Sequence, residues 1–138
     1  VLYDPQKEVI ANVHSGWRGS VADVIGRCID TMVAQFGCTP ETIRAGISPS
    51  LGPCCAQFIN YKQEIPKALW RYKEMDRPYF DFWQISRDQL GARGVLDEHI
   101  KSMALCTRCR TDMFYSYRAN KITGRFAAVI ALKFKDGE

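Results

Sequence analysis

The strongest pattern in this sequence is a run of apolar residues at helical spacing that follows Ser20. Ser20 with Asp23 three positions later is typical of a helix N-cap, and Gly37 is typical of a helix C-terminus. The apolar positions between these signals share one face of the predicted helix: Val21, Val24, Ile25, Cys28, Ile29, Met32, Val33 and Phe36. A helix with so long an apolar face has to pack against other elements, so we expect a globular domain with a buried core.

Strand patterns lie on both sides of this helix. Residues 9–14 are apolar and β-branched with one polar interruption, which predicts a largely buried strand with His14 at its C-terminal end. Residues 44–47 and 102–105 predict short strands, and residues 126–132 predict a buried strand. The sequence therefore contains enough strand patterns for a sheet that the helix can cover.

Two weaker helical patterns cover residues 61–72, limited by Pro66, and residues 82–92, which Asp81 or Ser86 could cap. The residues between them are rich in aromatic side chains, which favours core or lid packing over a platform for stacking ligands. Helices and strands alternate irregularly, which favours an α+β domain with a mixed sheet over a doubly wound sheet. We expect residues 1–138 to form a single domain.

Composition excludes several classes of protein. The 138 residues are 46% hydrophobic and carry a net charge of +4, as in an ordinary globular domain. The basic residues are scattered, which favours a solvated surface over a nucleic-acid interface. No apolar run approaches the roughly 20 residues that cross a bilayer. We therefore expect a soluble, cytoplasmic protein with no nucleic-acid or membrane partner and with reduced cysteines.

The chain starts without Met, and its first residues have the pattern of a strand that runs into a turn. We therefore expect a native polypeptide that continues upstream.

The segment after the first strand carries the clearest candidates for chemistry. His14 could bind a metal or act as an acid or base, because imidazole is a common ligand and titrates near neutrality. Arg18 presents a planar fork to a carboxylate or phosphate. Both have simpler interpretations, since a lone histidine beside an apolar strand is more often structural and an arginine is often a surface ion-pair partner. Arg118 and Arg125 follow near the end of the chain, where they could close a site around an anion.

The cysteines allow a second kind of site. Cys106 and Cys109 have C-x-x-C spacing, and the adjacent Cys54 and Cys55 offer two further thiols, so a four-thiolate zinc site is conceivable. Such sites usually contain two C-x-x-C segments, and adjacent cysteines rarely bind one ion together. The sequence therefore favours inert or merely reactive thiols.

Several blocks together resemble the laccase-domain family, also described as polyphenol oxidase or YfiH-type. The resemblance spans essentially the whole chain. Its blocks are HSGWRG at residues 14–19, AGISPSLGPCC at 45–55, CT at 106–107, FYSYR at 114–118 and TGR at 123–125. The first block is the most specific of them. This chain departs from the family pattern at Ser15, where alanine is usual, and at Ala56 and Gln57, where a Tyr-Glu pair is frequent.

The resemblance implies the C-terminal part of a layered α/β/β/α fold around one zinc ion, reported as copper in the polyphenol-oxidase descriptions. Two histidines and a cysteine hold that ion in the family, and His14 matches the second histidine. The other two ligands belong to motifs that precede Val1, so this chain would keep one ligand of three. His99 matches no family motif.

The resemblance also implies an enzyme that acts on purine nucleosides. The implied reactions are phosphorolysis of adenosine or inosine and deamination of adenosine. We expect Arg18, Arg118 and Arg125 to hold the phosphate. We expect the isolated chain to be inactive, with purine nucleoside and phosphate as partners of the whole enzyme. The alternatives are a copper-dependent polyphenol oxidase and, for the chain by itself, a non-catalytic interaction module that uses the aromatic segment.

Overall fold

The computed structural model describes residues 1–133, which form one mixed four-stranded sheet with helices packed against it. The strands are β1 (Leu2–Asp4), β2 (Val9–Ala11), β3 (Arg44–Ile47) and β4 (Ile100–Ser102). The α-helices are α1 (Trp17–Val21), α2 (Val24–Phe36), α3 (Tyr61–Glu64) and α4 (Phe82–Gly91). Three 3-10 helices cover Pro40–Thr42, Lys67–Tyr72 and Asp97–His99.

The order of the strands in the sheet is β2-β1-β3-β4. Strand β1 runs antiparallel to both β2 and β3, with Leu2 opposite Ala11 on one side and Ala45 on the other. Strands β3 and β4 are parallel, because the long connection that contains α3 and α4 returns the chain to the same end of the sheet. The mixed sheet confirms the predicted α+β class.

The main helix begins later than its sequence predicts. Asp23, not Ser20, is the N-cap of α2; it adopts a left-handed conformation (φ 53°), and its carboxylate accepts a hydrogen bond from the amide of Gly26. Ser20 is buried in α1, where its hydroxyl lies 3.2 Å from that of Ser15 and its carbonyl accepts a hydrogen bond from Gln89. The hydroxyl and carbonyl of Ser20 are used in those contacts, and Ser20 does not cap α2. The left-handed Asp23 separates α1 from α2, so the predicted single helix is divided in two.

The larger core lies between α2 and the sheet. The buried residues of this core are Leu2, Ile25, Ile29, Met32, Cys38, Ile43, Ala45, Leu90, Val95 and Ile100. The apolar face of α2 is therefore buried as predicted over most of its length. Near the C-terminal end, however, Val33 and Phe36 are 39% and 56% exposed. Gly37 ends the helix in a left-handed conformation (φ 63°), as its position predicted.

A second core contains the aromatic residues of the middle segment. Ala56, Phe58, Ile65 and Phe80 are buried there, and the partly buried residues around them are Trp17, Leu51, Tyr61, Leu69, Trp70 and Phe82. Phe58 makes edge contacts with Trp17 at 5.7 Å and with Phe80 at 6.0 Å between ring centroids. The prediction that these aromatics pack into a core is confirmed, and α4 begins at the predicted cap, Asp81.

The predicted strands at both ends of the chain differ from the observed ones. Strand β2 ends at Ala11, before His14, and β4 covers Ile100–Ser102 instead of residues 102–105. The predicted buried strand at residues 126–132 is wrong, because no strand among residues 1–133 pairs with this segment and Val129 is 81% exposed. The carbonyl of Ala128 accepts a 2.7 Å hydrogen bond from the side chain of Asn12, and the ring of Phe126 packs against Phe114 at 5.4 Å between centroids. No helix in the described part of the chain is long and apolar enough to cross a membrane.

Candidate functional site

A cleft of about 790 Å³ opens where the loops that follow β2 and β3 meet the C-terminal segment of the described chain. The loop after β2 contributes residues 12–17, and the Gly- and Pro-containing loop after β3 contributes residues 47–51. Residues of helix α4 form one part of the wall, and residues between 115 and 128 form another. A loop rich in Gly and Pro at the end of a strand is a common place for a site, and the loop after β3 lines this cleft.

His14 lines this cleft and is exposed. Gly16 lines the cleft beside it, and a methyl group at Gly16 would lie 3.4 Å from Nε2 of His14. The glycine therefore leaves open space next to the nitrogen that a ligand would approach. The ring is accessible, which is the environment that a metal ligand or an acid-base group needs.

Two of the three predicted arginines share the cleft with His14. Nη1 of Arg118 donates a 2.8 Å hydrogen bond to the carbonyl of Gln57, and its guanidinium stacks over Phe58 at 5.0 Å. Nη1 of Arg125 donates to the carbonyls of Thr123 and Gly124 in its own loop. Both guanidinium groups keep further N–H donors for an anion, since each carries five.

Arg18 does not belong to this group. It is exposed, its guanidinium stacks over the ring of Trp17 at 4.4 Å, and it does not line the cleft. The structure therefore brings His14, Arg118 and Arg125 together and leaves Arg18 outside. His99 borders a separate, smaller cleft of about 270 Å³ beside Arg44.

The cleft is also lined by aromatic residues that the sequence did not predict to be part of the site. Tyr115 and Tyr117 line one part of the wall, and Trp83 of α4 lines another. Nε1 of Trp83 donates a 2.7 Å hydrogen bond to the hydroxyl of Ser50, which fixes the indole beside the loop after β3. The helical periodicity of residues 82–92 gave no signal for this contact, because it depends on the approach of a distant loop.

The structure brings four cysteines together, although the sequence favoured inert or merely reactive thiols over a metal site. The Sγ atoms of Cys54, Cys55, Cys106 and Cys109 all lie within 4.8 Å of one another. Burial raises the pKa of Cys54. Burial acts in the same direction on Cys106, but hydrogen bonds from backbone amides, first that of Gly52, outweigh it and lower the pKa of Cys106 to about 6.

Gly52 joins this cluster to the cleft wall and has no room for a side chain. A Cβ atom there would lie 2.8 Å from Trp83 and 3.0 Å from Cβ of Cys106. We expect Gly52→Ala to destabilise the protein by about 1–3 kcal/mol, because both neighbours would have to move. Urea denaturation measures this loss. Gly91→Ala is the matched control, since a Cβ there meets nothing within 4 Å and helix α4 gains propensity. Equal stability of the two variants would contradict the close packing at Gly52.

Comparison with known proteins identifies relatives of the chain. The profile of a family described as multi-copper polyphenol oxidoreductase laccase matches residues 1–133. The chain is 30% identical to the purine nucleoside phosphorylase LACC1 of Mus musculus over 126 residues, which cover 85% of this chain and 29% of that protein. It is 32% identical to the purine nucleoside phosphorylase YfiH of Shigella flexneri over 131 residues, covering 89% of this chain and 51% of that protein.

A solved structure shows the same fold. The hypothetical protein YfiH of Bacillus licheniformis superposes with a TM-score of 0.76 at 24% identity, over 87% of this chain and 48% of that one. The chain spans about half the length, or less, of the relatives that it matches. The four-cysteine cluster is consistent with metal binding. Because the family profile covers all of the described residues, the chain belongs to the multi-copper polyphenol oxidoreductase laccase family, the laccase-domain family that its sequence blocks resemble.

Proposed function

We propose that this chain forms part of a zinc-dependent purine nucleoside phosphorylase, with His14 as a metal ligand and Arg118 and Arg125 as phosphate-positioning residues. The observation that carries the proposal is the placement of one exposed imidazole and two arginines in a single cleft. The names of the relatives support the substrate class.

We further propose that residues 1–138 belong to a single domain that corresponds to the C-terminal part of the family fold. We also propose a cytoplasmic location, which the six free cysteines support.

The donor chemistry at His14 fits a metal site that is completed by other groups. An accessible imidazole beside a glycine is a suitable ligand, but one imidazole does not hold zinc against water. Among residues 1–133, the one group of three or more potential ligands is the cysteine cluster. None of those cysteines lines the cleft, so His14 would share its ion with donors outside the described residues. A zinc ion held there would supply Lewis-acid chemistry to a substrate group or a water molecule.

The other cleft residues suit the reactants of a phosphorolysis. In that reaction a phosphate oxygen forms a bond to C1′ of the ribose while the bond from C1′ to the base nitrogen breaks, and the base leaves with the electron pair and takes up a proton. Arg118 and Arg125 would hold the phosphate by charge-assisted hydrogen bonds. The rings of Tyr115, Tyr117 and Trp83 offer apolar faces on which a purine can stack.

The proposal is tested by assaying the full-length polypeptide with inosine. We expect release of hypoxanthine that requires phosphate and yields ribose 1-phosphate, and we expect a chelator to abolish it and added zinc to restore it. Unchanged turnover after verified removal of metal would refute the zinc requirement. Release of hypoxanthine without phosphate would show hydrolysis and refute phosphorolysis.

Two further activities are separated by their products. Deamination of adenosine, which we also propose for this cleft, releases ammonia and leaves inosine. The alternative function, copper-dependent oxidation of phenols, is favoured by the description of the family profile. It predicts bound copper and oxygen consumption with a phenol. Copper at His14 with oxygen uptake and no phosphorolysis would favour the oxidase.

An interaction module is not favoured, because Trp70 and Trp83 are half-buried in the fold.

Substitution of the arginines should weaken phosphate binding. We expect Arg118→Ala and Arg125→Ala each to raise KM for phosphate roughly tenfold or more, because a hydrogen bond to a charged group is worth about 1.5–3 kcal/mol. Arg118→Lys should recover only part of the loss, since it keeps the charge and loses the planar fork. Steady-state kinetics with varied phosphate measure the effect. Arg77→Ala is the control, because Arg77 forms an exposed ion pair with Glu74 and does not line the cleft. An unchanged KM in both cleft variants would contradict the assignment.

A further inference from the structure

We propose that Cys54, Cys55, Cys106 and Cys109 form a second metal site, a closed tetrathiolate site for zinc that is separate from the site proposed at His14. The four sulfur atoms lie within 4.8 Å of one another, and none of the four residues lines the cleft that contains His14. The inference goes beyond the proposed function, because it concerns a different group of ligands and a structural role.

Two segments that are far apart in sequence meet to form this cluster. Ser50 and Cys106 form a parallel bridge, in which the amide of Ser50 donates to the carbonyl of Leu105 and the amide of Thr107 donates to the carbonyl of Ser50. The bridge fixes the register between the two loops. It therefore places the four thiols by backbone hydrogen bonds, not by chance contact of mobile side chains.

Each loop closes a tight turn that presents two sulfur atoms to the other loop. On one side, the amides of Cys55 and Ala56 both donate to the carbonyl of Gly52. On the other side, the amide of Arg110 donates to the carbonyl of Cys106, which closes the C-x-x-C turn. The amide of Gly52 also donates to Sγ of Cys106 at 3.3 Å. An amide that points at a sulfur atom stabilises a thiolate, which is the form that binds metal.

The distances between the sulfur atoms match a tetrahedral ion better than a disulfide. Sγ of Cys109 lies 3.6 Å from Sγ of Cys54 and 3.5 Å from Sγ of Cys55. A zinc ion with four Zn–S bonds of about 2.3 Å separates its sulfur ligands by about 3.8 Å. A disulfide requires a separation of about 2.05 Å, and all six cysteines of the chain are free. Within the cluster, Cys55 and Cys106 are buried and Cys54 and Cys109 are exposed, so an ion can enter from the surface.

A metal at this position would fix one wall of the cleft. Ser50 and Thr107 both line the cleft; Ser50 is the bridge partner of Cys106, and Thr107 follows Cys106 in the chain. Four protein ligands leave no open coordination position, so the ion would hold the two loops together and would not touch substrate. On binding, each thiol gives up its proton, and the ion accepts four sulfur electron pairs without any change of oxidation state.

The test measures metal content and coordination in the full-length polypeptide purified under reducing conditions. With both proposed sites filled, we expect about two equivalents of zinc in wild type, of which one persists in His14→Ala and that same one is lost in Cys54→Ser and Cys109→Ser. Both serine substitutions are at exposed positions, and circular dichroism checks that the variants fold. Cys28→Ala is the matched control, because it removes a thiol outside the cluster and should keep the metal.

Cobalt substitution supplies a readout that does not depend on activity. Cobalt bound to four thiolates gives intense visible bands and sulfur-to-cobalt charge-transfer bands, which we expect in wild type and in His14→Ala but with lower intensity in Cys109→Ser. Absence of metal from the reduced wild type would overturn the proposal, as would a metal content and a cobalt spectrum of Cys109→Ser equal to those of wild type, or absence of metal from His14→Ala. Failure of phosphorolysis would leave these outcomes unaffected, so the two proposals are tested separately.

Discussion

Replacing His14 with alanine in the full-length polypeptide is expected to lower kcat/KM for inosine phosphorolysis by at least about a hundredfold. Loss of a group that only orients a metal ligand costs about 10–100-fold, so loss of a ligand itself should cost at least as much. The ring is exposed at the cleft, and its removal leaves no cavity in the core. The loss should therefore appear in the rate and in zinc content, with thermal stability close to that of wild type.

The chain provides a control of the same residue type. His99 is its other histidine and does not line the cleft that contains His14. We expect His99→Ala to keep both phosphorolysis and the zinc content of wild type. If His14→Ala retained wild-type kcat/KM, or if His99→Ala lost as much activity, the assignment of His14 as the metal ligand would be wrong.

The largest effect on stability is expected at Asp4, whose side chain is fully buried. Its carboxylate accepts hydrogen bonds from the amides of Gln6 and Lys7, in the turn that joins β1 to β2, and from the amide of Thr39 beyond α2. Asp4→Ala leaves these donors without their acceptor, and we expect it to cost about 3–5 kcal/mol of the free energy of unfolding. Urea denaturation measures this. Asp4→Asn keeps the shape and one acceptor oxygen, so it should lose less.

The same residue gives the stability a dependence on pH. Burial by itself raises the pKa of Asp4, but hydrogen bonds from the Gln6 and Lys7 amides and from the Cys38 and Thr42 side chains outweigh it and lower the pKa below its ordinary value. A group with a lowered pKa in the folded state stabilises the fold above its unfolded pKa, about 3.9, and this contribution disappears as the pH falls through the folded pKa. The stability difference between wild type and Asp4→Asn should therefore be constant near neutrality and shrink below about pH 4. A difference that stayed constant in acid would contradict this role.

Local patterns predicted the elements whose signals lie within a few neighbouring residues. The apolar spacing before Gly37 identified most of helix α2, and the spacing after Asp81 identified α4 with its cap. The dense aromatic segment was correctly predicted to form a core. The family was also accessible from the sequence, because its blocks combine unusual residues at fixed spacing, and the family profile confirms it.

Contacts between distant segments were decided by the tertiary structure alone. Residues 126–132 have the composition of a buried strand, but a strand needs a partner to accept its hydrogen bonds, and none of the described strands pairs with them. Arg18 and Arg118 were both predicted to hold phosphate, yet Arg18 stacks on Trp17 and does not line the cleft, while Arg118 does. Spacing along the chain does not indicate into which cavity a long side chain points.

The sequence by itself determined the helix periodicity, the α+β class and the laccase-domain family, because each follows from patterns of residues that lie close together along the chain. Only the fold decided that Cys54 and Cys55 meet Cys106 and Cys109, more than fifty positions away. A single bridge between Ser50 and Cys106 fixes that meeting. The physical reason is that backbone pairing between remote loops depends on how the whole sheet brings them together, which no local pattern encodes.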